Sequence, residues 1–229
     1  MPGALIRALA LALAACAPDA SSCTTATGFV SAGADTLTVP LAANTPVLDG
    51  HVDDGEYGAP AVRIPTAGGE TRVWITRHAR FVYIAAVMSD STFYWGDDFV
   101  VSLDPDGSAD AAPQTGDRQW YLRRMLDSSV VSTAASGRWA APGQPTPALG
   151  ATRQHGDWHV ASSSPPAAWT VELRISEPVF KPGAGTPRIA FRTYNDQPSG
   201  WWSWPLPPSG TPAQRVERSP QSWTPVVWR

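Results

Sequence analysis

Two short apolar runs joined by an aromatic and acidic corner constrain the fold more than any other stretch of this chain. The runs, 81–89 and 97–104, are rich in Val, Ile, Phe and Tyr and are bounded by turn residues. Such runs favour buried strands over helices. The corner between them, 93–98, places aromatic rings beside carboxylates at the end of a sheet. A loop of this kind on a stiff scaffold suits a binding site.

Proline and charge content narrow the fold class further. The chain has 23 prolines among 229 residues, and only 16% of its residues are charged. This proline content disfavours helical repeats and coiled coils. We therefore predict an all-β domain, an antiparallel β-sandwich with short helical turns, over residues 36–229. The net charge of -3 argues against a nucleic-acid partner.

The first 35 residues differ in composition from the rest. An apolar run, 8–15, follows a single arginine and is too short to span a membrane, so it predicts an export signal. It ends Leu13-Ala14-Ala15-Cys16, which resembles the lipobox of bacterial lipoproteins. That resemblance implies a signal peptide over 1–15, a lipid on Cys16 and anchoring to the bacterial cell envelope. The alternative is an ordinary secretory signal.

Residues 16–35 are small and polar, which predicts a flexible tether rather than folded structure. Beyond the tether, alternating apolar residues and turn signals predict further strands, with helical turns at Asp53-Asp54 and 177–180. We expect the last segment, 223–228, to be an edge strand, because it contains a proline. The other predicted strands are 36–41, 61–64, 71–77, 118–126, 128–133, 158–161, 169–175 and 188–196.

Five segments in order carry a family resemblance. They are LDGHVDDGEY (48–57), TRVWITRHARFVYIAAVMSD (71–90), WGDDFVVSLDPDG (95–107), WTVELRI (169–175) and RIAFRTYND (188–196). Together they resemble the family 9 carbohydrate-binding module and its DOMON-like relatives. The resemblance covers roughly residues 48–196. It implies a jelly-roll or DOMON-like β-sandwich in which two aromatic side chains enclose a terminal sugar.

Tryptophan residues are the first candidates for contact with a sugar. An indole ring can cover the apolar face of a pyranose, while carboxylates accept protons from its hydroxyl groups. Strand alternation places Trp202 opposite to Trp201, so only part of the cluster shares a face. We expect Trp95 and Trp202 to stack on the sugar, with core packing as the alternative for each tryptophan. The predicted carbohydrate-binding residues are Tyr94, Trp95, Asp97, Asp98, Asn195, Asp196, Trp201, Trp202 and Trp204.

Three carboxylates lie close together after the second central strand. Asp104, Asp106 and Asp110 surround Gly107 and supply oxygen ligands of the kind that calcium prefers. We predict a calcium site here, with a plain Asp-Gly turn as the alternative.

The sequence predicts a non-catalytic, monomeric protein with a carbohydrate ligand. A glycosidase needs two carboxyl groups about 5–10 Å apart, and nothing brings Glu56 and Glu172 together. We expect Glu172 to pair with an arginine such as Arg192. The alternative functions are a haem-binding electron-transfer domain of the DOMON type, with Met88 or Met125 as an axial ligand, and a scaffold for protein contacts.

Overall fold

A computed structural model describes residues 36–92, 96–124, 130–135, 137–139, 152–155, 157–196, 199–207 and 213–229. Two largely antiparallel sheets contribute their apolar faces to one core, which confirms the predicted all-β sandwich. The predicted signal, tether and lipidation site lie outside the described residues. No helix within the described ranges is long and apolar enough to cross a membrane.

The first sheet has six strands in the order β2-β3-β4-β11-β10-β9. A hairpin forms its centre, because β3 and β4 pair from Thr71 to His78 and are joined by a tight turn at Ala79. Its strands, numbered in chain order, are β2 (Val62–Thr66), β3 (Gly69–His78), β4 (Phe81–Ser89), β9 (Thr152–His155), β10 (Trp158–Ser163) and β11 (Ala168–Ser176).

The second sheet has eight strands in the order β1-β14-β12-β5-β6-β7-β8, and β13 also pairs with β12. The prediction of an edge position for the last strand is wrong, because β14 lies between β12 and the short parallel strand β1. The strands are β1 (Leu37–Val39), β5 (Asp98–Asp104), β6 (Arg118–Arg123), β7 (Val130–Ala135), β8 (Arg138–Trp139), β12 (Arg188–Asp196), β13 (Ser199–Trp204) and β14 (Thr224–Trp228).

Alternation along the strands divides each sheet into a core face and an outer face. On β5, Phe99, Val101 and Leu103 enter the shared core, so Asp98 and Val100 lie on the outer face. On β11, Val171 and Leu173 likewise enter the core. The outer faces are the surfaces available to a ligand, except where loops cover them.

Two of the helical elements cover outer faces. The turn α1 (Asp54–Tyr57) is capped by the Asp53 carboxylate, which accepts from the Gly55 amide at 2.6 Å, and it packs on the six-stranded sheet. The 3-10 helix η1 (Ala213–Arg218) packs on the eight-stranded sheet. The remaining helical elements are α2 (Glu177–Phe180), which was predicted as a helical turn, and η2 (Pro220–Ser222).

The expected pairing of Glu172 with Arg192 is wrong, because the two residues lie on different sheets. Glu172 is fully buried on the outer face of β11, beneath the segment 48–57. Its carboxylate accepts from the amides of Asp49 and Gly50, at 3.0 and 2.6 Å, and from the Tyr57 hydroxyl at 2.7 Å. Burial raises the pKa of Glu172 to about 7.

Candidate functional site

An aromatic and charged row crosses the outer face of the eight-stranded sheet. Strand register places Arg123 on β6 opposite Asp98 on β5, Asp98 opposite Tyr194 on β12, and Tyr194 opposite Trp201 on β13. The core-facing neighbours on these strands include Phe99. Alternation therefore directs all four side chains of the row away from the core.

Trp201 is the aromatic centre of this row. Its ring lies 5.2 Å from the Tyr194 ring and 6.4 Å from the Tyr121 ring, which meets it edge-on. The Arg192 guanidinium lies 4.6 Å from the centre of the indole. Trp201 is half-buried. These contacts hold the indole in one orientation while part of it stays accessible to solvent.

Asp98 is the acceptor at the base of the site. Its side chain is 3% exposed and accepts from the Tyr121 hydroxyl at 2.5 Å and from Arg123 Nε at 3.1 Å. Burial raises the pKa of Asp98 to about 6, although the Tyr121 and Arg123 contacts oppose the rise. The carboxylate is therefore ionised at neutral pH and fixed by two donors.

A second ion pair borders the site on the side of η1. Arg192 on β12 donates to the Glu217 carboxylate from η1, and Gln119 Nε2 lies 3.3 Å from the same carboxylate. Trp139 Nε1 donates to the Glu217 carbonyl at 3.2 Å, and the Trp139 ring stacks on Trp223. These contacts fix η1 against the sheet beside Arg192, whose guanidinium also reaches the Trp201 ring.

This arrangement can bind an uncharged polar ring. A rigid indole offers an apolar surface, and Arg123 and Glu217, the more exposed members of the two adjacent ion pairs, offer a charged donor and a charged acceptor for hydroxyl groups. Each arginine in the site has a carboxylate partner, Asp98 for Arg123 and Glu217 for Arg192. The two pairs cancel in charge, so the site has no strong preference for an ionic ligand.

Asp97, the other carboxylate of the corner, has a structural position. It is 2% exposed and pairs with Arg124 Nη1 at 2.9 Å, which also contacts Asp90 at 2.6 Å and the Thr92 carbonyl at 2.6 Å. Asp97 also accepts from the amide of Asp196. The Asp97 oxygens are enclosed by this cluster, and a contact between Asp97 and a sugar stays a prediction.

The remaining predicted residues lie in different environments. Trp204 is 4% exposed and stacks on Phe191 in the core, and its role in a sugar site stays a prediction. Trp202 lies on the opposite face of β13 from Trp201 and packs against the same core. Asn195 is 3% exposed. Asp196 is half-buried at the end of β12. Tyr94 and Trp95 lie outside the described residues, and their roles stay predictions.

The acidic loop after β5 is held by its own backbone. Asp104 is fully buried and accepts from the amides of Gly107 and Ala109 at 2.8 and 2.9 Å. Gly107 has φ 72°, and a Cβ there would lie 2.1 Å from the Thr186 carbonyl. Asp110 accepts from Ser108 Oγ. Among the described residues, no group of three His, Cys, Asp or Glu is arranged to hold a metal ion. A calcium site at Asp104, Asp106 and Asp110 stays a prediction.

Four residues of the site were not predicted from the sequence: Tyr121, Arg123, Arg192 and Tyr194. A signal for two of them was present, since Tyr121 and Arg123 alternate with the apolar Trp120 and Leu122 and so face away from the core. Their proximity to Trp201 depends on strand pairing, which alternation within one strand does not reveal.

The fold matches that of known sugar-binding modules. No protein-family model matches the sequence, and no curated protein matches it. Two solved structures of a family 9 carbohydrate-binding module from Caldicellulosiruptor kristjanssonii, in complex with glucose and with cellotriose, each share 15% sequence identity with the chain. Their TM-scores are 0.56 and 0.57. Each alignment covers 84% of this chain, and the alignments cover 95% and 93% of the two solved chains. The chain therefore has the fold of family 9 carbohydrate-binding modules.

Proposed function

We propose that this domain binds carbohydrate on the outer face of the eight-stranded sheet, with Trp201 as the stacking residue. The observation that carries the proposal is the half-buried indole of Trp201 beside the Asp98–Arg123 ion pair. A pyranose stacked on the indole would place its hydroxyl groups near charged acceptors and donors. The similarity to modules solved with glucose and cellotriose supports this ligand class.

The same proposal takes the domain as non-catalytic and anchored outside the cell. The Glu172 carboxylate is enclosed by the segment 48–57, which removes it as a glycosidase residue.

Lipidation of Cys16, and with it attachment to the bacterial cell envelope, rests on the lipobox alone. Of the two methionines considered as haem ligands, Met88 is 1% exposed within the core and Met125 lies outside the described residues.

Titration of the purified protein with glucose and cellotriose tests the binding face. Truncation of a central aromatic anchor typically costs at least about 2 kcal/mol of binding, or roughly thirtyfold in affinity. We expect Trp201→Ala to show this loss while the protein stays folded. Unchanged affinity in a folded Trp201→Ala variant would place the sugar elsewhere.

The matched control is Trp228→Ala. Trp228 is also half-buried and also contacts two cations, Arg77 and Lys181. It lies on β14, which pairs with the beginning of β12, whereas Trp201 lies opposite the end of that strand. Trp228→Ala should therefore keep the sugar affinity of the wild type, so that a loss in Trp201→Ala reports on the site rather than on tryptophan removal.

A further inference from the structure

A second polar cluster lies on the outer face of the six-stranded sheet, on the opposite side of the sandwich from Trp201. Strand register places Tyr83 on β4 opposite Arg174 on β11, and Arg174 opposite His159 on β10. Phe81 precedes Tyr83 by two residues on the same face, and the two rings meet edge-on at 6.4 Å. Four side chains from three strands therefore form one surface.

Arg174 is held in this surface by an aromatic ring. Its guanidinium carbon lies 4.5 Å from the centre of the Phe81 ring, which is a close cation–π contact. Arg174 is half-buried, and its Nε atom is buried without a hydrogen-bond partner among the described residues. Phe81 occupies one face of the guanidinium plane, while the N–H groups along its edge are the part that binds planar oxyanions.

The charge of Arg174 is not balanced by a carboxylate within the described cluster. Within the described part of the chain, no carboxylate forms an ion pair with Arg174. Glu172, two residues earlier on the same face, directs its oxygens to Asp49, Gly50 and Tyr57. Burial and the charge of Arg174 together lower the pKa of His159. Among the described residues, Arg174 thus has no carboxylate partner of the kind that both arginines of the proposed sugar site have.

We propose that Arg174 and His159 form a binding site for an oxyanion, the carboxylate or sulfate group of an acidic saccharide. The guanidinium edge would donate two parallel hydrogen bonds to such a group, and strand register places His159 and Tyr83 on either side of Arg174 in the same row. The site goes beyond the proposed function, since it is on the other sheet and recognises charge instead of a neutral ring. A bound oxyanion would stabilise the protonated imidazole and raise the pKa of His159.

Nuclear magnetic resonance of the His159 ring tests this proposal on the purified protein. Inorganic sulfate and glucuronate are titrated separately, with chloride at equal ionic strength and glucose as controls. We expect both oxyanions to shift the His159 signals and to raise the pKa of the ring, and glucose to leave them unchanged. Tighter binding of glucuronate than of sulfate would identify an acidic sugar as the source of the oxyanion. Equal binding of the two would identify a site for a simple oxyanion.

Variants make the result specific to the cluster. Arg174→Gln should weaken sulfate binding about tenfold or more, and Arg174→Lys should retain part of it, because the charge remains but the fork of donors is lost. Trp201→Ala should leave sulfate binding unchanged, and Arg174→Gln should leave glucose binding unchanged, so this proposal and the proposed function fail separately. His159 signals that respond to neither oxyanion, or sulfate affinity unaltered in Arg174→Gln and Arg174→Lys, would overturn the proposal.

Discussion

The buried carboxylate of Glu172 makes the stability of the fold depend on pH in a defined direction. Burial raises its pKa from an ordinary value of 4.5 to about 7. The folded state therefore favours the protonated carboxyl more than the unfolded state does. The contribution of Glu172 to the free energy of unfolding is largest below about pH 4.5, decreases as the pH rises toward 7, and is constant above that.

The magnitude follows from the interval between the two pKa values. One pKa unit corresponds to about 1.4 kcal/mol, so the full interval corresponds to about 3 kcal/mol. Integration over the two titrations leaves about 1 kcal/mol of this decrease between about pH 6 and about pH 8. That range lies mostly above the pKa values of about 6 for Asp97, Asp98 and Asp117, which reduces their contribution to the change.

Glu172→Gln removes the ionisation while keeping the acceptor geometry. The amide oxygen can accept from the Asp49 and Gly50 amides, and the Tyr57 hydroxyl can rotate to accept from the new amide group. We therefore expect the variant to lose the decrease of about 1 kcal/mol between about pH 6 and about pH 8. Urea denaturation at each pH, extrapolated linearly to water, measures the difference. Glu172→Ala is the control, since it leaves both amides without their acceptor and should destabilise at every pH.

Parallel pH profiles of wild type and Glu172→Gln would refute this reasoning. They would mean that the pKa of Glu172 is not raised, and that its three hydrogen bonds compensate fully for its burial.

Three other predictions concern binding, metal and export. Sugar affinity should rise with pH through about 6, the raised pKa of Asp98, because the ionised carboxylate holds Tyr121 and Arg123 beside the Trp201 indole. Asp98→Asn should bind weakly at both about pH 5 and about pH 8 by calorimetry. Calcium should raise the melting temperature of metal-stripped protein by mass action, and Asp104→Asn with Asp106→Asn should abolish the increase; no increase in the wild type would leave the loop as a turn. Cys16→Ser should prevent lipid labelling and release the protein from membranes, and continued membrane fractionation would contradict the lipobox interpretation.

Local patterns in the sequence were sufficient for most of the strands and for the fold class. The β-branched runs between turn residues correspond to β4 and β5, and Asp53 caps a helical turn where an acidic pair follows a glycine turn. The opposite orientation of Trp201 and Trp202 also followed from alternation, since successive side chains of a strand point to opposite faces. These features depend on residues a few positions apart, and the sequence displays such spacing directly.

The choice between neighbouring carboxylates required the tertiary structure. Asp97 and Asp98 are equivalent in the sequence, yet Asp97 pairs with Arg124 at the end of the sandwich and Asp98 contacts Tyr121 and Arg123 on an outer face. The partners come from another strand, and only the pairing of β5 with β6 brings them to either aspartate.

The sequence by itself determined a β-sandwich, the positions of most of its strands and the alternation that separates core from outer-face residues. Tertiary structure alone decided that Trp201 joins an aromatic and charged row on the outer face of the eight-stranded sheet, that the Glu172 carboxylate accepts hydrogen bonds from the segment 48–57, and that Arg192 pairs with Glu217. The physical reason is that alternation arises from the geometry of one strand, whereas register and sheet membership arise from contacts between segments far apart in the chain.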